Sequence, residues 1–543
     1  MSVPTPTSTA VLLAVAEDDE GDVACLLPAD GQTLLARLVG QLRSVGVQRV
    51  IVLARPQWAA ACAQATDVEV DAHASVSAML DRLAQLAGTA TTDLLIAQAD
   101  LLTHDTAVAD MVLDNRVRNG VLSRSGAPSP LLCASLRISE ARVVASGSAY
   151  HRCEPANAQL LGMCRVGHAD LDRAAAVLGE LSAMAADPPA EWCRELEHKR
   201  AAVATRVTAN AGSVVEARSV AALLDDPLPL VVVGLVRRDV PVTPVDLREL
   251  YWVRPRACGA AATALEELQR VDEDAVRLNA AVKDVDGFFT TFFVSPYSRY
   301  IALWAARRRL TPNQVTLASM GLGLLAAAAF AAGSRLWLVT GAVLLQLAFI
   351  ADCVDGQLAR YTRQFSAFGA WLDSVLDRGK EYVVYAGLAI GATDGPAAEG
   401  PAVDGIWFMA TAALTLQTFR HYADFSHGAQ RRMTPPPPIR HRLDAAGESP
   451  VGTPGTDDVA VEPGRTAHTG AGRAAINALV TFGRRPWVTW AKRIIVLPIG
   501  ERLALISVTA AVWDARVTFA ALLAWGTVAA AYTTTVRVLR PIP

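Results

Sequence analysis

Two unlike hydrophobic patterns divide the chain near residue 285. Before that point short apolar runs alternate with stretches whose apolar residues recur at helical spacing. Strands are expected at Val11–Ala16, Arg49–Ala54 and Leu94–Gln98, and helices at Thr33–Val45 and Ser75–Ala87. Apolar segments at Gly162–Val166 and Pro229–Val236 carry the pattern on to about Val253. Such alternation predicts a doubly wound α/β domain, with Asp100 just beyond a strand end. From Gln314 onward the chain changes to long runs with few charges. Six of them approach the ~20 residues that cross a bilayer: roughly 314–332, 336–358, 376–393, 404–424, 496–513 and 517–536. The expected fold class is multidomain, an N-terminal α/β domain followed by an all-α membrane domain with six transmembrane helices.

Flanking charge orients the spans. Arg299, Arg307, Arg308 and Arg309 precede the first, Arg360, Arg363, Arg378 and Lys380 surround the second connection, and a basic stretch from Arg431 to Arg493 joins the fourth and fifth. The opposite loops, 333–335, 394–404 and 514–516, are almost free of cations, so both termini are expected in the cytoplasm of a bacterial plasma-membrane protein. Residues 287–310 mix aromatics with arginines and suit a helix lying along the cytoplasmic interface. The Pro-, Gly- and Thr-rich residues 427–470 read as a flexible loop. The expected division is thus 1–255 for the α/β domain, 256–286 for a linker, 287–310 for the interfacial helix, and 311–426 with 471–540 for the membrane domain.

Composition narrows the classes further. The 543 residues are 52% hydrophobic and 19% charged, with a net charge of -3, so no basic field invites nucleic acid. Of the 50 cationic side chains, all are arginine except Lys199, Lys283, Lys380 and Lys492, as an Arg- and Ala-rich composition from a GC-rich genome would have it. The 8 cysteines form no Cys-x-x-Cys pair and no Cys/His cluster at zinc spacing, which fits free thiols in a reducing compartment. The first residues carry no cation before their short apolar run, unlike a secretory leader.

Charges inside the spans carry the chemistry. Asp352 and Asp355 stand three apart and Asp373 and Asp377 four apart, so each pair shares one helix face. A carboxylate at the bilayer centre costs about 2.5–3.5 kcal/mol on insertion scales, and four require compensation. Hard oxygen ligands suit Mg²⁺ or Mn²⁺, and two such ions would clamp a pyrophosphate. Gly356, Ala359 and Gly369 permit close approach of a nucleotide, and Arg360 offers a fork for phosphate. A purely structural reading instead pairs the aspartates with Arg360, Arg378 and Lys380.

The run Asp352-x2-Asp355-Gly356-x2-Ala359-Arg360-x8-Gly369-x3-Asp373-x3-Asp377 resembles the signature of the CDP-alcohol phosphotransferase family, and Leu310-Thr311-Pro312-Asn313-Gln314-Val315-Thr316 resembles that family's lead into its first span. The resemblance covers about residues 285–540. It implies that Asp352, Asp355 and Asp373 hold metal, with Asp377 completing the site as general base. Gly356, Ala359, Arg360 and Gly369, with Asp352, Asp355, Asn313 and Thr316, would receive the CDP moiety. An acceptor hydroxyl then attacks the β-phosphorus of a CDP-alcohol and expels CMP. For an acceptor carrying phosphate, such as inositol phosphate or another polyol phosphate, Arg378, Arg493 and Arg502 are candidate partners, with Lys492 nearby and Glu381 placed to orient Arg378 or the acceptor. Membrane lipid and a second copy in a homodimer are the further partners implied.

In the N-terminal half, the stretch from Gln32 to Pro56 resembles sugar nucleotidyltransferase domains, and the order of the two halves is similar to that of bifunctional enzymes making and using CDP-inositol. Those domains place a Gly-rich loop with Arg and Lys after the first strand to hold a triphosphate. Here Glu17-Asp18-Asp19-Glu20-Gly21-Asp22 stands there, which repels a triphosphate and points to a non-catalytic domain. Asp100 stands at the strand end where the related domains place a metal ligand, although an isolated Asp at such a position is more often a helix cap or loop residue. The alternatives are a bifunctional enzyme that also makes its CDP-alcohol from CTP, and a membrane scaffold without catalysis.

Overall fold

The computed structural model describes residues 9–126, 134–209, 226–283, 286–394, 405–433 and 486–539. They divide into two units, Met1–Val276 in one and Arg277–Pro436 with Val459–Pro543 in the other. In the first, nine strands form one sheet: β1 (Thr9–Ala14), β2 (Arg49–Ala54), β3 (Glu69–Ala72), β4 (Leu94–Gln98), β5 (Gly120–Ser125), β6 (Ser135–Ser139), β7 (Arg142–Ser146), β8 (Ala158–Val166) and β9 (Thr243–Asp246). The path is β7-β6-β8-β4-β1-β2-β3, with β5 beside β8 and β9 beside β5. β1 runs parallel to β2 and to β4, whereas β8 pairs antiparallel with β4.

The strand β1 is buried on both faces. Val11 and Leu13 join the core that takes Met79, Leu80, Leu83 and Leu86 from helix Val76–Thr89. Ala10, Leu12 and Ala14 face the core that takes Leu35, Leu38 and Leu42 from helix Leu34–Ser44. Side chains alternate across a strand, so a near-continuous apolar run marks a sheet covered on both sides. Both helices start as the sequence predicts, with Thr33 Oγ1 accepting from the Ala36 N–H at 3.1 Å and Ser75 Oγ from the Ala78 N–H at 3.1 Å.

Two segments differ from expectation. Pro229–Val236, taken as a continuation of the apolar alternation, belongs to a helix, Pro227–Arg237. Asp226 caps it through the Leu228 N–H at 3.0 Å, Pro227 sits in the first turn, and every residue from Pro227 to Val236 is buried, so no polar stripe betrays the helical period. The expected linker 256–286 contains helices Cys258–Arg270 and Glu273–Ala280. The first buries Ala261, Ala264 and Leu268 against Leu27, Leu34 and Leu102.

The second unit is helical. A π-helical turn, Thr290–Val294, leads into helix Ser295–Arg307, which leaves Tyr297, Tyr300, Ile301 and Trp304 exposed. Thr311 and Gln314 then form a reciprocal capping box: the Thr311 N–H donates to Gln314 Oε1 at 2.9 Å and the Gln314 N–H to Thr311 Oγ1 at 3.3 Å. With Pro312 in the first turn, this fixes the start of helix Pro312–Ala331. Helix Arg335–Thr362 follows and stops at Arg363, whose φ of +56° is left-handed. Next come Ala367–Asp394, Ile406–Met433, Pro486–Ile495, Ile499–Val512 and Ala515–Leu539.

Among the described residues, three helices are long and apolar enough to cross a membrane: Pro312–Ala331, Arg335–Thr362 and Ala515–Val538. The other expected spans fall short for physical reasons. Ala367–Asp394 carries Asp373, Asp377, Arg378, Lys380 and Glu381 within nine residues. Ile406–Met433 ends in a charged segment that already includes part of the loop expected at 427–470, and Ile499–Val512 has 14 residues. The remainder of that loop lies outside the described residues.

Small residues bring the site helices together. A Cβ on Gly387 would lie 2.3 Å from the Ala327 carbonyl oxygen, and one on Gly391 would lie 2.0 Å from that of Phe330, so Pro312–Ala331 and Ala367–Asp394 touch backbone to backbone. Ser319 Oγ donates to the Ala348 carbonyl at 2.8 Å, tying Pro312–Ala331 to Arg335–Thr362.

Candidate active site

Those three helices place the aspartates. Asp352 and Asp355 lie on Arg335–Thr362, Asp373 and Asp377 on Ala367–Asp394. One carboxylate oxygen from each of Asp352, Asp355 and Asp373 lies within 4.8 Å of the others. That is a set of three hard oxygen donors, with no sulfur or imidazole among them, so the residues fit a divalent ion of the Mg²⁺ or Mn²⁺ class. Thr316 reaches over from Pro312–Ala331, and its hydroxyl donates to Asp355 Oδ2 at 2.5 Å.

Asp377 is not one of that trio but adjoins it through a side-chain contact with Asp352. Its Oδ1 is 3.2 Å from Lys380 Nζ, and the same ammonium is 2.7 Å from Asp352 Oδ1. The purely structural pairing considered from the sequence is therefore present for Lys380, which takes one member of the trio as well as Asp377. Arg360 donates from Nε to the Ala281 carbonyl. Gly369 and Asn313 are neighbours, since a Cβ on Gly369 would lie 2.7 Å from Asn313 Oδ1. Gly356 faces the Arg360 guanidinium, with Nη1 at 3.3 Å from the Cβ position, and Ala359 precedes Arg360 on the same helix.

The candidate acceptor cations go to separate partners. Arg378 Nη1 bonds Ser374 Oγ at 2.6 Å on its own helix. Arg493 lies over the Trp490 ring at 4.7 Å. Arg502 is buried and ion-paired with Glu381. Glu381 thus orients Arg502 and not Arg378. Sequence reasoning missed the surroundings of that pair: His421 Nε2 is 3.6 Å from Glu381 Oε2, and Arg420 Nη2 donates to the Val496 carbonyl at 2.6 Å. Arg420 and His421, adjacent polar residues inside the expected span 404–424, were the available signal.

In the N-terminal unit, Asp100 lies past the end of β4 and is neither a cap nor solvated. It accepts from Arg254 Nε at 2.9 Å and Arg256 Nη1 at 2.6 Å, and Arg254 Nη1 is also 3.4 Å from Asp226 Oδ2. Burial works to raise the Asp100 carboxyl, but the two guanidinium groups outweigh it and hold it below the usual range. Burial pushes the Asp226 carboxyl up. The acidic loop after β1 closes on itself, with Asp18 Oδ1 accepting from the Glu20 and Asp22 N–H groups at 2.9 Å each.

Residues 309–432 match the model of the CDP-alcohol phosphatidyltransferase family, so a domain of that class lies in the helical unit. Relatives agree on the class. The chain is 47% identical over 83 residues to a bifunctional IPC transferase and DIPP synthase of Rubrobacter xylanophilus, covering 15% of this chain and 18% of that protein. It is 32% identical over 126 residues to the protein so named in Aquifex aeolicus, covering 23% and 28%. It is 38% identical over 91 residues to a phosphatidylinositol phosphate synthase of Mycolicibacterium smegmatis, covering 17% and 40%. The chain thus spans well under half the length of these relatives. Among solved structures, the inositol-1-phosphate CTP transferase from T. maritima aligns over 49% of this chain and 97% of its own, at 10% identity and a TM-score of 0.33. At that distance the likeness bears on neither chemistry nor substrate.

Proposed function

We propose that this chain is a membrane-embedded transferase that moves a substituted phosphate from a CDP-alcohol to an acceptor alcohol and releases CMP. The observation that carries this reading is the convergence of Asp352, Asp355 and Asp373 beside Thr316, Asn313 and Gly369, inside the segment that matches the family model. A divalent ion, Mg²⁺ or Mn²⁺, held by the three carboxylates would supply screening of the pyrophosphate charge. Gly356 and Gly369 leave room for the CDP moiety, and Arg360 and Asn313 flank it. Asp377 accepts the proton of the acceptor hydroxyl at a carboxylate oxygen, that hydroxyl oxygen bonds to the β-phosphorus, and the bond to CMP breaks.

On this reading six helices cross the bacterial plasma membrane with both termini cytoplasmic, and the aromatics of 287–310 lie at the interface. The acceptor is a polyol phosphate such as inositol phosphate, and the chain works as a homodimer. Residues 1–255 do not catalyse nucleotidyl transfer, because Asp100 is saturated by Arg254 and Arg256 and the loop at Glu17–Asp22 is acidic. In purified full-length protein with Mn²⁺, Asp377→Asn is expected to lower CMP release at least 100-fold; release at the wild-type rate would overturn the mechanism and leave the scaffold reading. Pyrophosphate release by the full chain from CTP and a polyol phosphate would establish the bifunctional reading instead.

A further inference from the structure

Lys380 is the cation that the family signature does not account for. Its ammonium lies 2.7 Å from Asp352 Oδ1 and 3.2 Å from Asp377 Oδ1, so it bridges a carboxylate on each of the two site helices. The side chain is almost fully buried, at 1% exposure. A slot is built for it: Gly323, on Pro312–Ala331, lies against its stem, and a Cβ there would come within 2.5 Å of Lys380 Cγ. Residue choice matters too. In a chain whose cations are overwhelmingly arginine, a lysine occupies this place. An ammonium is a compact point charge with three donors, able to sit between two carboxylates as a small metal ion does, whereas a guanidinium is a planar fork.

We infer that Lys380 takes the place of one of the two metal ions expected from the four aspartates, so that the site holds a single divalent ion on Asp352, Asp355 and Asp373, with the ammonium serving as the second, permanently bound cation. This rests on the transferase reading for the role of the site. Nζ already contacts one oxygen of each of Asp352 and Asp377, so a second divalent ion bridging the two would share these carboxylates with the ammonium and stand against a like charge at close range. The fixed charge leaves Asp355 and Asp373, to which Lys380 does not hydrogen-bond, to the exchangeable ion.

The experiment is Mn²⁺ binding to chelator-stripped full-length protein in detergent, by equilibrium dialysis and electron paramagnetic resonance. Wild type is expected to bind one Mn²⁺ per chain with an uncoupled six-line spectrum, and Asp355→Asn to lose it. Lys380→Met is expected to bind two, with the broadened spectrum of a coupled pair. Two coupled ions in wild type, none in wild type, or a folded Lys380→Met that still binds one, each overturns the inference. CMP release from the same samples separates the two claims: two ions with turnover removes the lysine assignment alone, and one ion without turnover on any CDP-alcohol removes the transferase reading alone.

Discussion

Thr316 donates its hydroxyl to Asp355 across two helices at 2.5 Å, and both residues are buried. One oxygen of the carboxylate is thereby held in place while the other is left to a ligand. Partners that orient metal ligands typically contribute 10- to 100-fold in affinity. Thr316→Val is therefore expected to weaken Mn²⁺ binding by about 10- to 100-fold, while Thr316→Ser, which keeps the hydroxyl, stays close to wild type. Dialysis against a Mn²⁺ series measures both, and equal affinity for Val and Ser would show that the hydrogen bond does not set the carboxylate.

Gly369 tests the proposed nucleotide pocket. An added methyl would lie 2.7 Å from Asn313 Oδ1 and 2.8 Å from Ser366 Oγ, closer than packed atoms tolerate. Both atoms end short side chains, so the methyl displaces Asn313 and Ser366 at little cost to the fold. Gly369→Ala should raise the KM for the CDP-alcohol by about 2- to 13-fold, the worth of one hydrogen bond of about 0.5–1.5 kcal/mol. Gly321→Ala, where nothing lies within 4 Å of the new methyl, serves as the reference and should leave KM unchanged.

Local spacing explains which parts of this arrangement were readable in advance. Asp352 with Asp355, and Asp373 with Asp377, declare shared helix faces by separations of three and four, and the strands β1, β2 and β4 show as dense apolar runs. Contacts made by the tertiary fold leave no such trace. Arg254 reaches Asp100 across 154 positions, and Arg502 reaches Glu381 across 121. Lys380 was visible as a flanking cation and as one of three possible partners of the aspartates, but which of them it takes is set by the tertiary packing, where its stem lies against Gly323. Helix Pro227–Arg237 was obscured by burial on every side, which removes the periodicity on which helix assignment depends.

Glu273 gives the N-terminal unit a defined acid sensitivity. Its Oε1 is 3.0 Å from His104 Nδ1, and its Oε2 accepts from the Thr106 N–H at 3.0 Å in the first turn of helix Asp105–Leu113. Burial pushes the carboxyl up, but the His104 and Thr106 contacts outweigh it and hold it at about 2, against an ordinary 4.5. A depressed carboxyl stabilises the fold above its unfolded value, and that contribution is lost as pH falls from about 4.5 through about 2. Hydrogen exchange over residues 105–113, corrected for intrinsic rates, should show protection falling across that window. Glu273→Gln should lower protection at pH 6 and abolish the pH step; wild-type protection that stays level down to pH 2 would contradict the assignment.

The buried Glu381–Arg502 pair tests whether Arg502 serves the fold or the proposed acceptor. Both side chains are buried, Glu381 at 1% and Arg502 at 6% exposure, and Arg502 Nη1 also donates to the Leu497 carbonyl at 3.3 Å. Removing one partner of a buried pair leaves the other charge uncompensated, at a cost of about 3–5 kcal/mol, whereas replacing both by apolar residues is often neutral. Glu381→Gln should therefore lower the thermal midpoint in detergent by roughly 6–20 °C, and Glu381→Leu combined with Arg502→Met should recover most of it. If Arg502 also binds the acceptor's phosphate, the stable double variant will still fail to use a phosphorylated polyol. A double variant that regains both stability and turnover would assign Arg502 to the fold and not to the substrate.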